Sequence, residues 1–156
     1  MKNFKWGGFL LFTALLLFGC NSKGCYESMN VRLKANFYLA DTSAMVAVSV
    51  DSISVWGVGV DSALYKNSTA GSLKLILNPT SDTTQYVVRA IQNGHAFYDT
   101  ITFIHSNQLK FESLECGSMV FSNLKSCSVK GVLFKSASIT DSLVQNIDTE
   151  HVRLYL

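Results

Sequence analysis

The sequence predicts an all-β fold, a single antiparallel β-sandwich or small partly open barrel, and three observations carry that prediction. Short β-favouring runs recur every ~8 to 12 residues, separated by Gly, Asn, Ser and Asp. Beyond the first 19 residues no run shows the 3.6-residue period of an amphipathic helix, so no helix longer than about two or three turns is expected. Asn93-Gly94 lies between two alternating runs, and that pair is the strongest short-range hairpin signal a sequence offers.

The chain opens differently. Lys2 and Lys5 precede and flank an apolar block, Trp6 to Phe18 (WGGFLLFTALLLF), in which Thr13 is the one polar side chain. Basic flank, apolar block and small-residue exit follow the order of a signal peptide. A spanning helix needs ~20 apolar residues, and this block is about two-thirds of that length. Leu17-Phe18-Gly19-Cys20 resembles a bacterial lipobox, with a bulkier Phe18 than usual at its place. There the thiol is alkylated by diacylglycerol, the peptide is cut before the cysteine, and the new amino terminus is acylated. Two or more acyl chains, at ~0.8 kcal/mol per buried methylene, anchor a protein stably without spanning the bilayer. The expected organisation is a lipoprotein signal peptide over 1–19, a lipidated N-terminus and tether over 20–28, and a β-sandwich domain over 29–156. Asn21 replaces the aspartate of inner-membrane retention and no acidic run follows Cys20, so the expected address is the bacterial cell envelope, lipid-anchored, on the periplasmic face of the outer membrane.

Within the domain, Val31 to Leu39 alternates with Val31, Leu33, Ala35, Phe37 and Leu39 on one face. Met45 to Val60 reads as two strands parted by a tight turn at Asp51-Ser52. Leu73 to Leu77 ends at Asn78-Pro79, where proline removes a ladder donor. Gln85 to Ile91 and Ala96 to Ile104 flank Gln92-Asn93-Gly94-His95 as a hairpin. Leu109 to Glu112, Met119 to Leu124, Val129 to Lys135 and His151 to Leu156 supply further short strands, about nine or ten in all. Ser138 to Asn146 reads as a loop or one helical turn. Gly57 and Gly59, inside VWGVGV, mark a bulge or a close backbone approach.

Removal of residues 1–19 leaves 137 of the 156 residues, the size of one domain. The formal charge of +2 comes wholly from Lys2 and Lys5, since the remainder holds 11 Lys and Arg against 11 Asp and Glu. Without a basic cluster or a recognition motif, nucleic acid is not an expected partner. His95, His105 and His151 show no ligand spacing, so neither a metal nor another cofactor is implied.

Candidate chemistry is sparse. Glu112 and Glu115 are the nearest thing to a carboxylate pair, although a solvated strand edge accounts for them more simply. Cys116 before Gly117 suits a thiol nucleophile with His105 or His151 as base, but in an oxidising compartment a disulfide is the better default. After Cys20 is committed to lipid, Cys25, Cys116 and Cys127 allow at most one internal bridge. Cys116 and Cys127 would face each other if Ser122-Asn123 centred a hairpin, so the pairing stays open on the residues alone. Trp56, Tyr65, Tyr86 and Tyr98 suit a sugar or peptide platform, or else core and cross-strand packing.

The succession of lipobox, NVRLKANFYL, DSISVWGVG, LKLILNPTSDTTQYVV, YDTITFIH, FESLECG and terminal HVRLYL resembles a family of small uncharacterised Bacteroidota lipoproteins known as a domain of unknown function. The chain departs from it in Ser28-Met29-Asn30, where the family tends to carry proline, and in Cys127, which has no counterpart. The resemblance implies an exported β-rich lipoprotein whose Cys25 and Cys116 are disulfide-bonded while Cys127 stays free. Taken with the residues, the expected function is that of a membrane-tethered, non-catalytic binding or scaffolding module, meeting another envelope protein or a glycan. The alternative is a periplasmic hydrolase of envelope glycans using Glu112, Glu115 or the histidines.

Overall fold

The computed structural model describes residues 29–41, 44–92 and 94–156. The expected signal peptide, Cys20, the expected tether and Cys25 lie outside the described residues, as does Asn93. Ten strands and no helix are found among the described residues: β1 (Leu33–Tyr38), β2 (Val50–Gly57), β3 (Ala63–Ala70), β4 (Ser72–Leu75), β5 (Thr83–Gln92), β6 (His95–Ser113), β7 (Gly117–Lys130), β8 (Ser136–Ile139), β9 (Leu143–Val144) and β10 (Val152–Tyr155). They form a four-stranded sheet, β4-β1-β10-β8, and a six-stranded sheet, β3-β2-β5-β6-β7-β9. Pairing is antiparallel except where the first and last strands meet, β1 running parallel to β10 with Ala35 opposite Val152.

The alternating phase of β1 puts Leu33, Ala35 and Phe37 in the core, where they meet Leu73 and Leu75 of β4 and Val152 and Leu154 of β10. Val50, Ile53 and Val55 of β2, Tyr86, Val88 and Ala90 of β5, and Ile101 and Phe103 of β6 face them from the larger sheet. The rings of Phe37 and Phe134 lie 5.3 Å apart and tilted, so an aromatic contact bridges the layers. The Asn-Gly hairpin forms as expected: Gln92 pairs with His95, and Gly94 adopts a φ of 76° that a side chain would resist.

Four readings of the sequence are corrected. Asp51-Ser52 is no turn; both residues lie inside β2, where they oppose Thr69 alone as a bulge, with Ser52 at a φ of 51° and Thr69 Oγ1 donating to Asp51 Oδ1 at 2.8 Å. A bulge and a turn both need one residue off the extended conformation, so Asp-Ser serves either. Ser122-Asn123 centres no hairpin, because β7 runs unbroken from Gly117 to Lys130 and merges two of the expected runs. Likewise β6 spans 19 residues and absorbs Leu109 to Glu112. Ser138 to Asn146 holds parts of β8 and β9 and no helical turn.

Candidate functional site

Strand register defines one end of the sandwich. Gly57 pairs with Tyr86, and Thr83 with Ile104, so the end of β2, the start of β5 and the middle of β6 lie together. Here the 57–64 and 76–83 connections meet, and between them opens a groove of about 550 Å³. Val58, Val60, Leu64, Ile76 and Pro79 line it, and the first four are exposed.

Tyr86 lines the groove, and with Tyr65 it links the two sheets beside it. As an edge strand, β4 leaves outward backbone groups that need partners. Lys74 N donates to the Tyr65 hydroxyl at 2.8 Å and Ile76 N to the Tyr86 hydroxyl at 3.2 Å, while Tyr86 returns its proton to Ile76 O. Asn78 N completes the row by donating to Thr84 Oγ1 at 2.8 Å. Burial pushes the Tyr86 phenol above its ordinary value, and its hydrogen bond to Ile76 only partly offsets this. Tyr65 and Tyr86 thus join the two sheets and do not belong to an aromatic platform with Trp56 and the exposed Tyr98.

Beside the groove, sharing Ile76, Leu77 and Pro79, is a cleft of about 300 Å³ in which Met29, Asn30 and Val31 face Ser118, Met119 and Val120 of β7. The chain thus arrives at β1 alongside the first turns of β7, and Cys116 lies two residues upstream of Ser118. Cys116 sits in the β6–β7 turn, its N–H donating to Ser113 Oγ at 3.0 Å. Cys127 is in the body of β7 opposite Phe103. At ~3.3 Å per residue the strand holds these two cysteines on the order of 30 Å apart, well beyond the ~7 Å a disulfide spans. Cys127 is the free cysteine among the described residues, and Cys116 is not free. Burial raises the Cys127 thiol to about 12, which keeps it protonated and a poor nucleophile.

The other sequence candidates are dispersed. Glu112 pairs with Lys110 at 3.5 Å on the hairpin arm, and Glu115 is exposed at its turn. His105 is wholly buried far from Cys116: its Nε2 meets Thr84 Oγ1 at 2.8 Å and its Nδ1 meets Asn107 Oδ1 at 2.9 Å. Because Asn107 Oδ1 can only accept, Nδ1 carries the proton, and Thr84 donates to Nε2. Asn107 Nδ2 donates on to Asn78 O and Ser81 O, and Ser122 Oγ donates to Asn107 Oδ1, so the cluster pins the 78–82 loop to β6 and β7. His151 is equally buried in the smaller sheet, where its Nδ1 accepts from Lys34 N at 3.1 Å and its Nε2 has no partner. Desolvation lowers its pKa, with Asp141 acting in the opposite sense.

Two further carboxylates escaped the sequence reading. Asp99, inside β6, accepts three backbone donors: Val132 N at 2.8 Å and Leu133 N at 3.0 Å on Oδ1, and Phe134 N at 2.7 Å on Oδ2. Its signal was its phase, since Asp99 takes the inward position of a strand whose next inward residues are Ile101 and Phe103. Glu150 binds Asn36 Nδ2 at 2.7 Å, Tyr38 Oη at 2.6 Å and Arg153 Nε at 2.6 Å on the outer face of the smaller sheet. Burial acts to raise its pKa, but the bonds from Tyr38, Arg153 and Asn36 outweigh it and the net shift is downward. Among the described residues no three His, Cys, Asp or Glu side chains gather to hold a metal ion.

Fold and site together define an all-β domain, two sheets linked by tyrosine hydroxyls, whose buried Asp99 clasps backbone, whose buried His105 is held by Thr84 and Asn107, and whose surface offers a largely apolar groove. The chain belongs to the "Family of unknown function (DUF6452)", whose model matches residues 52–156, about two-thirds of its length. Comparison with curated proteins and with solved structures gave no match.

Proposed function

We propose that the protein is a membrane-tethered envelope lipoprotein of the Bacteroidota type, anchored through Cys20 on the periplasmic face of the outer membrane, and that it acts as a non-catalytic binding module. The groove between the 57–64 and 76–83 connections carries this reading. Val58, Val60, Leu64, Ile76, Leu77 and Pro79 give it a largely apolar lining, and of the polar residues that also line it Tyr86 and Thr84 are committed to backbone partners. Such a surface suits an extended apolar segment of another envelope protein and offers no acid–base pair to a glycan. Dispersal of Glu112, Glu115 and the three histidines supports the module over the hydrolase.

The anchor reading extends to a Cys25–Cys116 disulfide. Met29 lies in the same cleft as Ser118, and the four residues from Met29 back to Cys25 can reach at most ~14 Å. Cys127, the rival partner, is free. A photo-crosslinking side chain at Val60 or Leu64, incorporated in the native host, tests the groove. The expected result is one discrete protein adduct at both positions, lost with Ile76→Asp and absent from Tyr98 on the outer sheet face. Adducts to lipid alone, or equal labelling from Tyr98, would remove the groove from the function.

A further inference from the structure

We infer that the tip of the β6–β7 hairpin is a second, non-covalent membrane contact, seated in the bilayer interface beside the lipid anchor. The inference rests on the proposed anchor at Cys20 and bridge from Cys25 to Cys116. It begins with the shape of the arm. Strand β5 accompanies β6 only as far as Ile104, and β9 covers β7 only at Ser122 and Asn123. Beyond Asn107 and Ser122 the hairpin continues as a two-stranded arm to its turn at 114–116.

The arm carries large apolar side chains that the domain leaves in water. Leu109 is 70 % exposed, Phe111 61 % and Leu114, in the turn, 91 %. Two-residue periodicity sets Leu109 and Phe111 on one face. On the other, Lys110 lies over the Phe121 ring at 4.9 Å and pairs with Glu112, and Met119 and Phe121 are buried, Met119 in the cleft it shares with Met29–Val31. The domain thus covers one face of the arm and leaves Leu109, Phe111 and Leu114 in water, and an apolar patch rimmed by polar groups marks a contact surface.

Position selects the occupant. Cys116 is the last residue of the turn, two places after Leu114. Cys25 stands five positions after Cys20, a reach of at most ~18 Å, and a disulfide adds a Cα separation of ~6 Å. The acylated cysteine thus holds Cys116 within ~24 Å of the bilayer surface, a tether short enough for the tip to settle at the depth of ~5–10 Å that apolar side chains take among headgroups. Exposed Glu115 beside Leu114 holds the contact at that shallow level.

Tryptophan quenching reads the contact. Trp56 is the sole tryptophan after the predicted cleavage site. Leu114→Trp changes an almost fully exposed position, so folding is not at stake; Val132→Trp, 72 % exposed just past the far end of β7, is the control. Each mature acylated protein, with the mass of its N-terminal peptide verified, is reconstituted into phosphatidylethanolamine–phosphatidylglycerol vesicles with and without lipids brominated near the top of the acyl chain. The expected result is at least about twofold quenching and a blue shift for Leu114→Trp, with Val132→Trp and the parent unchanged. An acylated protein with unquenched Leu114→Trp overturns the tip contact and leaves the anchor standing. A blue shift without quenching places the tip against protein, a second copy or a partner, and equal quenching of Val132→Trp gives the wrong orientation; both overturn it. An unacylated N-terminal peptide overturns the anchor and this inference with it.

Discussion

Replacing Asp99 by asparagine should cost the fold about 2 kcal/mol, and replacing it by alanine ~3–5 kcal/mol. The difference follows from the donors. With alanine, Leu133 N and Phe134 N, both on buried residues, lose their acceptor, at ~1–3 kcal/mol each, and Val132 N loses one at the surface. Asparagine can keep its oxygen on Val132 and Leu133, but its amide group then faces Phe134 N, donor against donor. Against a total stability of ~5–15 kcal/mol either loss is large. Gly131 is part of the same clasp: a Cβ there would stand 1.9 Å from Asp99 Oδ1 and 2.7 Å from Asp99 Cα, so Gly131→Ala must displace the carboxylate or the strand. Because both changes break one contact, their costs should combine to less than their sum. Urea denaturation of the parent, each single variant and Asp99→Asn/Gly131→Ala measures this, provided the slope stays constant. Midpoints of Asp99→Asn and the parent that coincide, or strictly additive losses, would refute the clasp.

Two further outcomes follow from the titratable groups. The folded His151 has a lowered pKa, so its neutral form contributes stability above the unfolded value near ~6.5, and that contribution is lost as pH falls through the folded value. Stability should therefore decline from about pH 6.5 downward more steeply in the parent than in His151→Phe, and parallel profiles would count against the burial of a neutral imidazole. Cys127 should resist iodoacetamide at pH 8 in the folded protein and react at once in denaturant, while non-reducing peptide mapping joins Cys25 to Cys116; fast alkylation of folded protein, or a peptide joining Cys127, contradicts this.

Local chemistry made some of this fold legible and hid the rest. The inward phase of Leu33, Ala35 and Phe37 in β1 and the Asn-Gly hairpin could be read because hydrophobic phase and a positive φ are properties of single residues, whereas β4 ends at Leu75, short of the stop expected at Asn78-Pro79. Strand β3 could not be read. ALYKNSTA is an edge strand with little to bury, and it pairs with β2 through repeated bulges, one held by Asn67 at a φ of 44° with Ser54 Oγ. The long β6 and β7 looked like four short runs because the stretches 105–108 and 125–128 interrupt the hydrophobic pattern. In the first, Asn107 is polar because it serves His105, Ser122 and the 78–82 loop, a partnership between distant segments that no window contains. The groove was hidden for a related reason. Its residues come from two connections and the strand ends that flank them, and only the register of β2, β5 and β6 brings them together.

The topology also explains what a bridge at Cys116 would do that packing does not. The two sheets share a core, and polar links from Tyr65, Tyr86, Thr84 and Asn107 of the larger sheet run to the 74–81 segment that leaves β4. Strand β1 lies inside the smaller sheet between β4 and β10, and the chain reaching it passes the arm of the larger sheet. A disulfide from Cys25 to Cys116 would tie the leading segment of one sheet to the longest hairpin of the other. It would close a loop of about 90 residues, for which the chain-entropy model gives ~4–5 kcal/mol at 25 °C before native strain. Load on a lipid anchor at Cys20 would then reach both sheets at once, through the arm as well as through β1. Reduction should accordingly loosen the arm first, and the body, held by Asp99, His105 and the shared core, should keep its structure.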